Sequence, residues 1–164
     1  MIIGRIKNPD GLYFKLPCKP ISINEYKKMH WAVVKKIKGE YKSMIDMLIV
    51  DAINCKYKIG PDGIFIDDRL FPNKVDVEWV LSFGKVNQRD PSNYTQKILL
   101  DAVVMSGLLV DDSSKYVNSD KTILSPNKEE CIWCILKGKI NKEMVMSDIK
   151  ITKYQDVLNL AGVE

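Results

Sequence analysis

The run KVDVEWVLSFG (74–84) constrains this chain more than any other. Val75, Val77, Trp79 and Leu81 fall on one side of an alternating segment, and Asp76, Glu78 and Ser82 fall on the other. A period of two marks a strand with one face on a core, because successive side chains of extended backbone point to opposite sides of a sheet. Such a strand requires partner strands and an apolar layer to cover it. GLYFKLPCKP (11–20) alternates loosely before its prolines and reads as a strand leading into a turn. EECIWCILKGKI (129–140) and SDIKITKY (147–154) read as further strands.

The covering layer is expected from SINEYKKMHWAVVKKIKGEYKSMIDMLIVDAINC (22–55). Trp31, Val34, Ile37, Tyr41, Ile45 and Leu48 recur there at spacings of three and four, which predicts one long helix or two joined near Gly39. Ser22 or Asn24 is placed to cap it. KYKIGPDGIFIDDRLFPN (56–73) carries Pro-Asp-Gly and Pro-Asn, so a long loop or loose hairpin is expected, with its own acidic pair Asp67–Asp68. QDVLNLAGVE closes the chain as a short, helix-compatible tail. Strands separated by irregular segments and a few helices predict an α+β fold: one compact domain over residues 1–164, built on a mixed β-sheet.

Charge is distributed unevenly. The net charge is +4, and residues 24–43 hold six lysines (27, 28, 35, 36, 38 and 42) against Glu25 and Glu40. The lysines lie largely off the apolar stripe, as a solvated face or as a face for phosphates. Cys131 and Cys134 form a CxxC inside an expected strand, and the chain has a single histidine, His30, so a zinc site lacks ligands. The start, MIIGRIKNPDG, has no apolar stretch of signal-peptide length, and no run approaches a membrane span. A cytoplasmic location without membrane contact is expected.

The chemistry concentrates in RDPSNYTQKILLDAVVMSGLLVDD (89–112). Pro91 is tolerated at a helix start, Asn93 is placed to cap a helix with Gln96 three residues on, and Gly107 suits the position after its end. Tyr94, Ile98, Ala102 and Met105 would form the apolar stripe, and LLV a short buried strand. A helix from Asn93 to Ser106 spans about 21 Å at ~1.5 Å per residue. Residues 107–112, running back extended, cover about 20 Å at ~3.3 Å per residue. Asp111 and Asp112 therefore return nearly to the helix start, beside Asp90. Asp101 lies about two turns inside the helix, and Lys97 shares its face at i,i+4. The acids belong to two ordinary turns, or they converge on one cation. Mg²⁺ takes hard oxygen ligands and keeps several waters, so two or three aspartates suffice to hold it.

The ordered set Asp90, Asn93, Lys97, LLDAVV (99–104), Gly107, Asp111–Asp112 and Val117 resembles the RusA family of Holliday junction resolvases. The upstream LPCKPISINEY is similar to that family's proline-rich lead, and the likeness covers roughly residues 12–120. It implies a Mg²⁺-dependent endonuclease, with Mn²⁺ as an alternative ion, that cuts four-way DNA junctions in recombination and repair as a homodimer. On that reading Asp90, Asp112 and Lys97 are catalytic, and Asp90, Asp111, Asp112 and Asp101 are candidate metal ligands. Lys85, Arg89, Asn93, Lys35, Lys36 and Lys38 would contact DNA. Two departures stand out: Ser92 occupies the place of a second family aspartate, and the step from Asn93 to Lys97 is one residue longer. A weaker site, a site recruiting Asp111 or Asp101, and a non-catalytic binder of branched DNA all stay open.

Overall fold

The alternating run forms the middle of a five-stranded sheet. The computed structural model describes residues 2–52, 57–61, 63–66, 70–84, 89–141 and 153–163. In chain order these form β1 (Ile2–Lys7), β2 (Asp10–Leu16), α1 (Ile23–Lys28), α2 (Trp31–Ala52), β3 (Tyr57–Gly60), β4 (Gly63–Ile66) and β5 (Val75–Phe83). A 3₁₀ turn (Pro91–Asn93), α3 (Lys97–Met105), β6 (Val117–Ser125), β7 (Glu130–Lys137) and α4 (Tyr154–Leu160) follow. The sheet order is β1-β2-β7-β5-β6, and β3 and β4 pair as a separate antiparallel hairpin. Only the β5–β6 pairing in the large sheet is parallel, so the fold is α+β with a mixed sheet, as expected. Parallel neighbours need a crossover, and α3 supplies it.

Both faces of the sheet are covered. Val75, Val77, Trp79 and Leu81 of β5 join Leu12, Phe14 and Leu16 of β2 and Ile132, Cys134 and Leu136 of β7 under α2 and α3. The opposite face packs Tyr13, Val80, Trp133 and Ile135 against Val157, Leu158 and Ala161 at α4. The polar face of β5 is therefore buried at Glu78 and Ser82, while Asp76 stays partly exposed. Glu78 is 5% exposed and accepts from Lys137 Nζ at 2.6 Å and Tyr154 Oη at 2.5 Å. Ser82 donates to the carbonyls of Asn127 and Glu129. Cys131 and Cys134 lie in different cores on opposite faces of β7, where burial raises both thiol pKa values. A strand cannot turn both of those thiols toward one metal ion.

The helical region divides elsewhere than expected. Its break is at Met29 and His30, not at Gly39, which lies inside α2. Ser22 caps α1, and Glu25 returns the bond to the Ser22 amide, completing a capping box. Met29 is extended, and His30 restarts the helix by accepting from Ala32 N through Nδ1 at 3.3 Å. The apolar stripe is buried from Tyr41 through Ile45 and Leu48, with Val34 and Ile37 partly covered, but Trp31 is 69% exposed. Of the strand expected over 147–154, residues 147–152 lie outside the described residues, Lys153 makes a parallel bridge to Asn8, and Tyr154 begins α4. Cys55, Asp67, Asp68 and Lys85 also lie outside the described residues.

Candidate metal and nucleic-acid site

The segment between β5 and α3 enters the helix in two steps. Asp90, not Asn93, is the first cap: its carboxylate accepts from Ser92 N at 2.9 Å, and its carbonyl accepts from Asn93 N at 3.0 Å. Pro91 then occupies the first position of a short 3₁₀ turn. Tyr94 and Thr95 leave that turn extended. Tyr94 bridges Ser22, and Thr95 N donates to the Ile21 carbonyl at 3.3 Å. Only after this tertiary pairing does α3 begin, at Lys97. Local capping chemistry predicts a helix from Asn93, but the hydrogen bonds to residues 21 and 22 hold the backbone extended. Asn93 is exposed in the turn.

The later start brings Asp101 one turn from the helix origin. Ile98 and Ala102 are buried, whereas Met105, expected on the same stripe, is 41% exposed. Gly107 ends the helix with φ +82°, a left-handed conformation that glycine tolerates. Leu108 and Leu109 are buried, and LLV makes a single parallel bridge, Leu109 to Phe71, in place of a strand. The chain then returns toward the start of α3, as the length estimate requires. Lys97 Nζ donates to Asp112 Oδ2 at 2.6 Å.

Four charged groups alternate here. Lys97 Nζ also lies 3.1 Å from Asp101 Oδ1, and Lys38 Nζ of α2 lies 2.5 Å from Asp101 Oδ2. One ammonium thus joins the carboxylate of a helix to that of the following loop, so the two acids face a common point. Lys97 hydrogen bonding lowers the Asp112 pKa below the usual carboxylate value. The Lys97 pKa is raised, first by Asp112 and then by Asp101. In each case the charged form gains a partner. Lys97 stays half exposed, which leaves the cluster open to solvent ions.

The other expected ligands do not join that cluster. Asp90 is exposed and turned to its own turn, where the Ser92 amide lowers its pKa. Asp111 accepts from Asp112 N at 2.9 Å and so shapes the loop that presents Asp112. Among the described residues no three Asp, Glu, His or Cys side chains gather as a metal-binding group. Two carboxylate oxygens converging on one cation still fit Mg²⁺, whose protein ligands are often one or two carboxylates completed by water. Asp101 and Asp112 would hold it, with Asp111 the nearest further acid in sequence.

Of the expected DNA contacts, Lys35 is exposed, and Lys36 is 78% exposed and 3.9 Å from Glu40. Lys38 is committed to Asp101 and Lys42 to Asp46, a buried pair at 2.5 Å. Arg89 stacks over the Phe83 ring at 4.2 Å and donates to Tyr94 Oη at 2.7 Å. These three side chains line a cleft of about 460 Å³ with Lys19, Glu25 and Glu130, and Lys19 Nζ lies 3.6 Å from Glu25 Oε1. Sequence spacing gave no sign of Phe83 and Tyr94 as supports for Arg89, because the partners meet only through the sheet end. Comparison with protein-family models and with curated proteins finds no match. No helix among the described residues is long and apolar enough to cross a membrane.

Proposed function

We propose that this protein is a divalent-metal-dependent endodeoxyribonuclease of the RusA type, acting on four-way DNA junctions as a homodimer. The observation that carries the reading is the meeting of Asp101 and Asp112 at one ammonium, with Lys38 behind Asp101. The resemblance of the ordered residues from Asp90 to Val117 to RusA-family resolvases supports the nuclease class.

In this reading Asp101 and Asp112 hold Mg²⁺ or Mn²⁺, with Asp90 and Asp111 available from the flanking turns. Such an ion supplies activated water and neutralises charge on a phosphodiester. Lys97 donates to both carboxylates, and its half-exposed ammonium would also serve the phosphate, where a positive charge stabilises the developing negative charge. Lys38 holds Asp101 in place from the neighbouring helix. Arg89, braced by Phe83 and Tyr94, together with Asn93, Lys85, Lys35 and Lys36, contacts the DNA backbone. A two-fold dimer suits a junction of approximate two-fold symmetry, because it presents two sites to two strands.

A second reading has a specific observation in its favour. Asp90 is engaged by Ser92 N in its own turn, at the place where the family has a further aspartate. A non-catalytic binder of branched DNA accounts for that arrangement. The deciding experiment is incubation of a synthetic four-way junction, beside a matched linear duplex, with Mg²⁺, Mn²⁺ or EDTA. The nuclease reading expects metal-dependent cleavage of the junction that Asp112→Asn abolishes while binding persists. Junction binding with no cleavage under any ion selects the binder.

A further inference from the structure

Trp31, Lys35, Lys38 and Lys42 recur on α2 at spacings of four, three and four, so they share one helix face. Exposure falls along that row. Trp31 is 69% exposed, Lys35 is exposed, Lys38 leans on Asp101, and Lys42 is buried beside Asp46. The row therefore leads from an open aromatic ring to the carboxylate cluster. The other two tryptophans, Trp79 and Trp133, are 0% and 2% exposed, so the chain buries this residue type wherever the sheet reaches it. The His30 ring sits 5.5 Å from the Trp31 ring, tilted by 42°. The surrounding stretch YKKMHWAVVKK (26–36) carries four lysines and no acid. Among the described residues Lys35 has no carboxylate partner.

We infer that Trp31 is a stacking platform for an unpaired base, with Lys35 of the same helix face on the neighbouring phosphate. The inference rests on the nucleic-acid reading above and names how that ligand is held. An aromatic face interleaved with lysines suits single-stranded nucleotides, because every base offers a π-face and every step a phosphate. Lys38 lies seven residues beyond Trp31, about 10 Å along the helix at ~1.5 Å per residue. A second copy of the chain is the weaker occupant. A two-fold contact through this face would oppose its own lysines, and exposed Val33 lies on a different side of the helix.

The test is a tryptophan-emission titration of the whole chain in EDTA with a dT oligonucleotide of about 15 nucleotides and, separately, with the four-way junction. Binding should quench emission, and Trp31→Leu should remove the quenching, since Trp79 and Trp133 are buried. Trp31→Leu should weaken oligonucleotide affinity about 5- to 150-fold, and Trp31→Phe should restore most of it. Lys35→Gln should weaken affinity and flatten its salt dependence while leaving quenching at saturation intact. Oligonucleotide binding without quenching overturns the platform. So does a dimer that shields Trp31 from acrylamide before any DNA is added. Junction cleavage without quenching removes the platform and keeps the nuclease; quenching without cleavage does the reverse; binding to neither DNA removes both.

Discussion

Lys97→Met isolates the ion pairs at the centre of the proposed site. Methionine keeps a similar length and helix propensity, so the change is chiefly the loss of one ammonium. Lys97 is 52% exposed, so water screens both pairs, at 2.6 Å to Asp112 and 3.1 Å to Asp101. Each such pair contributes about 0.2–1 kcal/mol, which sets the loss at roughly 0.5–2 kcal/mol at pH 7. For a chain of this size that lowers Tm by about 1–8 °C. A cation in the first turn opposes the helix dipole, and its removal returns up to about 0.5 kcal/mol, which pulls the loss toward the lower end. The Asp112 pKa is lowered in the folded state, so its share is present above the unfolded carboxylate value near ~3.9 and fades as pH falls through the folded value. The Lys97 pKa is raised, so its share is present below ~10.4 and fades only in stronger alkali. The gap between wild type and variant should therefore be flat from about pH 5 to 10 and narrow in acid. Mg²⁺ then no longer competes with the ammonium, and the concentration for half-maximal thermal stabilisation should fall about 2- to 30-fold, the same energy converted. Junction cleavage should fall at the same time, because the phosphate loses its cation. Urea unfolding at pH 7 and pH 3, repeated across a Mg²⁺ series and in an Asp112→Asn background, measures each part. A gap that persists unchanged in acid, or a higher metal requirement in the variant, would refute the placement of Lys97 as the ion's competitor.

Four further outcomes are expected. Gly39→Ala should stabilise by about 0.5–1 kcal/mol in chemical denaturation, because a Cβ there meets nothing within 4 Å and alanine loses less backbone entropy in a helix. Gln96→Leu should leave Tm unchanged or raise it, because the buried Gln96 side-chain amide has no hydrogen-bond partner among the described residues, and removing orphaned polar groups costs little or gains about 1–2 kcal/mol; a drop in Tm would argue for an ordered water on that amide. Glu78→Ala should cost about 2 kcal/mol by urea unfolding, because Lys137 and Tyr154 lose their shared acceptor and α4 loses a tie to the sheet. Ser92→Asp keeps the backbone N–H that bonds Asp90 and adds a carboxylate, so it should lower the metal concentration for half-maximal junction cleavage; an unchanged titration would mean that position 92 faces away from the ion.

Periodicity assigned both faces of β5 correctly but gave no sign that the outer one is covered, and the reason is long-range pairing. Glu78 alternates with apolar neighbours as a solvated residue would, yet its partners Lys137 and Tyr154 lie 59 and 76 residues away. Nothing local to 74–84 announces them, nor the helix α4 that covers that face. β6 was equally hard to read from pattern, because it is an edge strand whose first half is mostly exposed, and NSDK gives no alternation. The helix α2 carried a legible stripe but no sign of where the sheet beneath it ends. That end is what leaves Trp31 in solvent while Tyr41 and Ile45, on the same stripe, are buried.

The candidate site follows the same division. The return of Asp112 to the start of α3 was legible, since it depends only on helix rise, strand rise and the glycine at 107. The rank of Asp101 was not. Counting from Asn93 puts it two turns in and farther from Asp112 than the other candidates, whereas the Tyr94–Ser22 and Thr95–Ile21 pairings delay the helix to Lys97 and leave it one turn in. Lys38 then reaches it from 63 residues away. A lysine that looked like part of a phosphate-binding face is thereby tied to a carboxylate, and in the proposed function the phosphate contacts rest on Lys35 and Lys36 beside it. Neutralising all three together would confound the two functions. Lys38→Gln alone should disturb Asp101, and so metal affinity, while Lys35→Gln with Lys36→Gln should change the salt dependence of DNA binding and leave metal affinity as it is.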